Sequence, residues 1–322
     1  MRTTSTKILR VILDSLGLPA SLRHFLAESP DLKFSPEGRS RTIDITDVAC
    51  WHQWGKGNHA IGSWRTAGEL LGWRKEGPEF CSYRLTVEAL ARLGTSEVVE
   101  DWESEIQDVE GLAASKADLA AFSTLDEMAV QRVSYLVGEV SQQNLEASLG
   151  WPGVAILHQN QTRDHLAYHQ WDRRLFLCNS DGSHHFVAGR YLASRLGVKV
   201  PLKANLHIHR ISPQAVAALV DDYQIFALSD DPSAFVQFHE AMRSYRAGYL
   251  WIDLPRPYTG GRAVFLPRTD HRSMKVASLL REEGHGDLGA HLRDLARIEV
   301  PFQGGQQSVS VGVEAGSVGS VA

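Results

Sequence analysis

Leu175-Phe-Leu-Cys-Asn-Ser-Asp-Gly-Ser-His-His-Phe-Val-Ala-Gly-Arg190-Tyr-Leu-Ala-Ser-Arg-Leu-Gly197-Val-Lys-Val-Pro-Leu202 reads as strand, polar turn, helix and strand in immediate succession. The apolar run Leu175 to Cys178 suits a short buried strand, and Asn179-Ser-Asp-Gly182 a tight turn. From Ser183 the apolar residues Phe186, Val187, Tyr191, Leu192 and Leu196 recur three and four apart, which is one face of a helix. Gly197 is a C-terminal stop, and Val198 to Leu202 a second strand. This order puts Ser183, His184 and His185 at a helix N-terminus, where unpaired backbone N–H groups and the helix dipole favour an anion. Asp-Gly turns and serine caps also serve merely to reverse a chain. A structural turn and an anion site are therefore both open on spacing alone.

Asp181-Gly-Ser-His-His185, between a strand and an alanine-containing helix that leads to a Val-Lys-Val-Pro strand, resembles the Asp-Gly-x-His-Arg signature of the ParB/sulfiredoxin-like superfamily. The similarity spans about 30 residues. It implies a turn that binds nucleotide phosphates, ATP or CTP, with Mg²⁺, for phosphoryl transfer or NTP hydrolysis. On that resemblance Gly182, Ser183, His184 and Arg190 hold phosphate and Asp181 takes the metal or fixes the turn. Asp181, His184 and His185 form the catalytic set. The signature's arginine falls at His185 here, replacing a permanently charged fork by an imidazole; Arg190, nearly two turns along the helix, is its candidate substitute. Ser183 stands where sulfiredoxins carry cysteine, which argues against sulfinic-acid reduction.

At 322 residues, 43% hydrophobic and 22% charged, the composition is that of a globular protein with one large core or two moderate ones. A net charge of −5 argues against non-specific nucleic-acid binding. Three cysteines without CxxC spacing (Cys50, Cys81 and Cys178) fit neither a zinc ribbon nor a disulfide framework and suit a reducing compartment. No signal peptide or run of about 20 apolar residues is present, so a cytoplasmic protein without a membrane partner is expected.

Taken in order, residues 1–150 are expected to be mostly helical. They include a tryptophan-rich stretch (Trp51, Trp54, Trp64, Trp73) suited to a compact aromatic core or to a protein partner. A helix is expected over Leu85 to Leu93, and Glu97 to Glu105 as a solvated acidic face. Thr124-Leu-Asp-Glu127 opens a long amphipathic helix that Gly150-Trp-Pro-Gly153 ends, marking a domain boundary. From 151 to 302 strands (Val154–Leu157, His165–His169, Leu175–Cys178 and others) alternate with helices, and 303–322 is expected to be a disordered tail. The fold class is α+β, with a helical tryptophan-rich part followed by a mixed-sheet part.

Two other chemistries have residues to support them. Cys50, His165 and Asn179 (or Asp181) are similar in order to the nucleophile, base and orienting residue of papain-like peptidases, although Cys50 lies in an apolar context that also suits an inert buried thiol. Fourteen histidines include the close pairs His165/His169, His184/His185 and His207/His209, but no HExxH or Cys/His spacing gathers the three or four ligands zinc needs. A third reading is a non-enzymatic binding or regulatory protein. Walker A, GxGxxG and GxSxG motifs are all missing.

Overall fold

The computed structural model describes residues 2–36, 41–57, 66–158 and 162–301. Along the chain run α1 (Arg2–Ser15), α2 (Ala20–Glu28), β1 (Glu69–Glu76), β2 (Glu79–Thr86), α3 (Glu88–Ala91), β3 (Gly94–Glu105) and β4 (Val109–Leu112). Then come α4 (Leu125–Arg132), α5 (Ser134–Val137), α6 (Gln142–Leu149), α7 (Ala155–His158), β5 (His165–His169), β6 (Leu175–Cys178), α8 (Ser183–Leu196) and β7 (Pro201–Ile211). The remainder is α9 (Pro213–Asp222), β8 (Tyr223–Ser229), α10 (Pro232–Tyr245), β9 (Tyr249–Asp253), β10 (Gly261–Pro267), α11 (His271–Glu282) and α12 (Leu288–Ala296). The fold is α+β.

The chain divides into two compact units that are interleaved in sequence. The first comprises residues 1–41, 46–95 and 210–298; the second comprises 42–45 and 96–209, with the described residues from Glu299 on. This corrects a division at residue 150. Gly150-Trp-Pro-Gly153 is a turn inside the second unit: Gly150 caps α6, and Trp151 accepts the Val154 N–H at the start of α7. The segment 303–322 lies outside the described residues.

In the first unit five antiparallel strands form a sheet in the order β2-β1-β9-β10-β8. Phe226, Leu228, Tyr249, Val264 and Leu266 pack with α2, α10 and α11 in a fully apolar core. Trp51 and Trp54 are buried edge to face at 5.4 Å, and the Trp54 indole N–H donates to the Asp253 carbonyl at 2.9 Å. These two tryptophans are core residues, Trp73 is half-buried, and Trp64 lies outside the described residues. The expected helix over Leu85 to Leu93 is instead the end of β2 followed by the single-turn α3. The described part of residues 1–150 thus carries four strands and is not mostly helical.

The first unit also sets a pH limit. Burial, helped by Lys33, pushes His285 down to about 4, and burial with Lys56 does the same to His52. Between about pH 4 and 6.5 the unfolded chain binds protons on these rings that the folded one refuses. Stability should therefore be full above about pH 6.5 and fall as the pH drops toward 4. Thermal midpoints measured from pH 4 to 7.5 should show this slope, and His285→Gln should flatten it. A slope unchanged in that variant would remove His285 from the account.

The second unit holds a mixed five-stranded sheet, β3-β7-β5-β6-β4, with β5 parallel to β7, antiparallel to β6, and β4 parallel to β6. Leu166, Tyr168, Leu175, Leu177, Leu206 and Ile208 face one core together with Phe186, Val187 and Leu192 of α8. Glu97–Glu105, expected as a solvated face, lies in the edge strand β3 with Val99 and Trp102 turned toward that core. The expected long helix after Thr124 is broken into α4, α5 and α6, although Thr124 caps it as the spacing requires, accepting from Glu127 N–H at 3.0 Å. Val154–Leu157 is not a strand but mostly α7, an outcome that a four-residue apolar run leaves open. Residues 42–45 cross into this unit by backbone pairing of Ile43 with Phe122 and Leu112. Arg174, buried, donates to the Thr42 carbonyl and to both oxygens of Asp172.

Candidate functional site

The turn between β6 and α8 is held from both sides. Asn179 is buried; its amide donates to the carbonyls of Ala114 and Asp181, both at 3.0 Å, and its oxygen accepts from Ala114 N–H. Ser180 gives both its N–H and its hydroxyl to Asp164 Oδ1 at 2.9 Å. Gly182 then takes a left-handed conformation (φ 71°) directly before α8, as a residue without Cβ does most cheaply. Ser183, also buried, spends its hydroxyl on Ser115 Oγ at 3.1 Å, so it does not cap the helix.

The consequence is an open helix N-terminus. No side chain among the described residues caps α8, and its first backbone bond is Phe186 N–H to the Gly182 carbonyl. The N–H groups of Ser183, His184 and His185 find no acceptor among the described residues. They lie at a cavity of about 400 Å³ lined by the turn together with Ser115, Lys116, Tyr135 and Trp151. Unpaired donors at a positive dipole end make an anion-binding geometry.

The imidazoles are tuned by this setting. His184 Nδ1 is 3.2 Å from the Tyr135 hydroxyl, and its buried Nε2 has no partner among the described residues. Burial first, then the positive charges of Arg132, His185 and Lys116, hold His184 below the usual histidine range. That same positive field would draw a phosphate. His185 stacks on the Trp151 indole at 4.5 Å and 7°; burial lowers its pKa and the nearby Asp181 opposes the shift. Asp181 supplies the cavity's carboxylate.

The structure thus gathers Asp181, Gly182, Ser183, His184 and His185 at one cavity, but not Arg190. That guanidinium bonds the carbonyls of Val109 and Gln107 and the Asp126 carboxylate, and it does not line the cavity. Seven residues beyond Ser183, it faces the β4 side of α8 and braces the fold. Lys116 is the cation at the turn. Sequence reasoning missed Lys116, Tyr135 and Trp151, because each is 28 or more residues from the turn.

The papain-like reading names Cys50, His165 and Asn179. Cys50 belongs to the first unit and His165 and Asn179 to the second. Burial raises the Cys50 thiol against the opposing charge of Arg256, which is the reverse of activation. Asn179 is committed to bracing the turn, and His165 Nδ1 is 3.0 Å from the Arg163 carbonyl.

A family model described as "Family of unknown function (DUF6685)" matches residues 99–300, a stretch that contains the turn and every residue lining its cavity. No curated protein and no solved structure matches the chain.

Proposed function

The chain belongs to the DUF6685 family, and we propose that its Asp181–His185 turn binds the phosphates of a nucleotide for phosphoryl transfer or NTP hydrolysis. The observation that carries this reading is the start of α8, where three N–H groups have no acceptor among the described residues and belong to residues that line a cavity together with Lys116. The resemblance to the ParB/sulfiredoxin-like turn supports it independently of the geometry.

In this reading the backbone donors and Lys116 take the phosphate oxygens. The Tyr135 hydroxyl, 3.2 Å from His184 Nδ1, holds that ring at the cavity. Mg²⁺ fits the donor set, since one carboxylate plus ligand phosphates is an ordinary environment for it, and Asp181 is that carboxylate. When bound, it would neutralise charge on the transferring group. His185, held flat against Trp151, is placed to accept or return a proton.

Thermal denaturation with ATP, CTP, GTP and ADP, each with and without Mg²⁺, tests this. A nucleotide at 100 times its Kd should add about 2.7 kcal/mol and raise the midpoint by a few degrees. His184→Ala should weaken that rise. Inorganic phosphate alone should give a smaller one. The absence of a shift with every nucleotide would reject the reading and leave a structural turn in a binding or regulatory protein.

A further inference from the structure

The face of the second unit's sheet opposite its core carries a different chemistry. Leu166 and Tyr168 of β5 and Leu206 and Ile208 of β7 point into the core. Side chains alternate along a strand, so His165, His169, His207 and His209 all lie on the other face. The parallel register sets His169 directly beside His209 and Ala167 beside His207. The His169 and His209 rings stand 4.8 Å apart, and their ring nitrogens lie within 4.8 Å of one another. His165 and His207 stack at 4.1 Å next along the same face.

Four imidazoles are a costly way to cover a sheet. His169 is only 5% exposed, and an apolar side chain would fill that space without a polar atom to satisfy. The ring orientations are also fixed from behind. Ser96 Oγ is 2.9 Å from His209 Nδ1, and the Arg163 carbonyl is 3.0 Å from His165 Nδ1. A hydrogen bond on one ring nitrogen is what orients a ligating histidine toward an ion at the other.

We propose that His169 and His209 supply two of the ligands of a divalent transition-metal site, one that zinc can occupy with water completing its coordination. Neutral imidazole nitrogens suit zinc, copper or nickel and do not suit Mg²⁺, so this site is chemically separate from an oxygen site at Asp181. Two nitrogens on one tetrahedral zinc stand about 3.3 Å apart, given Zn–N bonds of about 2.0 Å. The rings therefore need to close by at most about 1.5 Å, which small side-chain rotations supply. The site is independent of the nucleotide reading, and either can fail alone.

The test is a Zn²⁺ titration of the full chain after dialysis against a chelator, with Co²⁺ as a visible probe. Wild type should bind one Zn²⁺ per chain, and Co²⁺ should show the absorption of a nitrogen-ligated ion that Zn²⁺ displaces. His209→Ala should weaken binding by tenfold or more, and His169→Ala likewise. His184→Ala should leave it unchanged. His209 is half-exposed, so His209→Ala decides the question even if the buried His169 proves necessary for folding; circular dichroism reports that separately. No stoichiometric binding by wild type, or equal affinity in a folded His209→Ala protein, would overturn the site.

Discussion

Gly182→Ala should lower the melting midpoint by roughly 5–10 °C and close the cavity at the start of α8. Two costs combine. The backbone there is left-handed, at φ 71°, which disfavours any residue with a Cβ by about 1–2 kcal/mol. The new Cβ would also meet backbone that cannot swing aside: the Gly153 carbonyl carbon and oxygen, and Val154 N at 2.7 Å. Overpacking of that kind costs a further 1–3 kcal/mol or so. Gly197, at the far end of the same helix, separates the two terms. Its φ is 66°, but a Cβ there would meet nothing within 4 Å, so Gly197→Ala should show the conformational cost alone, about 1–2 kcal/mol. Calorimetry on both variants is the measurement. Equal midpoints would mean that the turn yields to the added methyl and that Gly182 matters only for its torsion. The nucleotide-dependent shift proposed above should be lost in Gly182→Ala and kept in Gly197→Ala.

Arg174→Met is expected to destabilise the second unit by about 3–5 kcal/mol, the usual cost of removing one partner from a buried ion pair. The guanidinium bonds both Asp172 oxygens and the Thr42 carbonyl, and it lies 4.9 Å from the centre of the Phe176 ring. Methionine keeps the stem but deprives the Asp172 carboxylate, 12% exposed, of its cation. The double variant Arg174→Met with Asp172→Leu should recover much of the loss, because removing both charges also removes their desolvation. Urea denaturation of both single variants and the double variant gives the coupling energy. A loss below about 1 kcal/mol in Arg174→Met would show that the pair behaves as a surface bridge.

Much of the later fold was legible in the sequence because its signals are local. Helix α8 runs from Ser183 to Leu196, ended by Gly197 in the left-handed conformation, and Ser212, Asp231, Asp270 and Asp287 each cap the helix that follows. The strands of the first half were obscured by their surroundings. In β3 the charges of an edge strand look like a solvated surface, since edge strands carry charge against stray pairing. In β2, Leu85 is 39% exposed, and its spacing from Leu90 and Leu93 imitates a helical stripe that never forms. The candidate site was legible only in its contiguous half. Asp181 to His185 lie together in sequence, whereas Lys116, Tyr135 and Trp151 reach the same cavity through the tertiary fold. Arg190 was misplaced because helical spacing gives its distance along α8 and not the direction its side chain takes.

The interleaving of the two units also orders events during synthesis. Residues 96–209 leave the ribosome as one stretch, and β4, β5, β6 and β7 can pair as they appear. The hairpin of β1 and β2 emerges earlier but has no neighbour until β9, where Leu71 pairs with Trp251. At about 5–20 residues per second that interval is roughly 10–30 s. A nascent chain must therefore carry the β1 edge of that hairpin without β9 while a second body folds downstream of it.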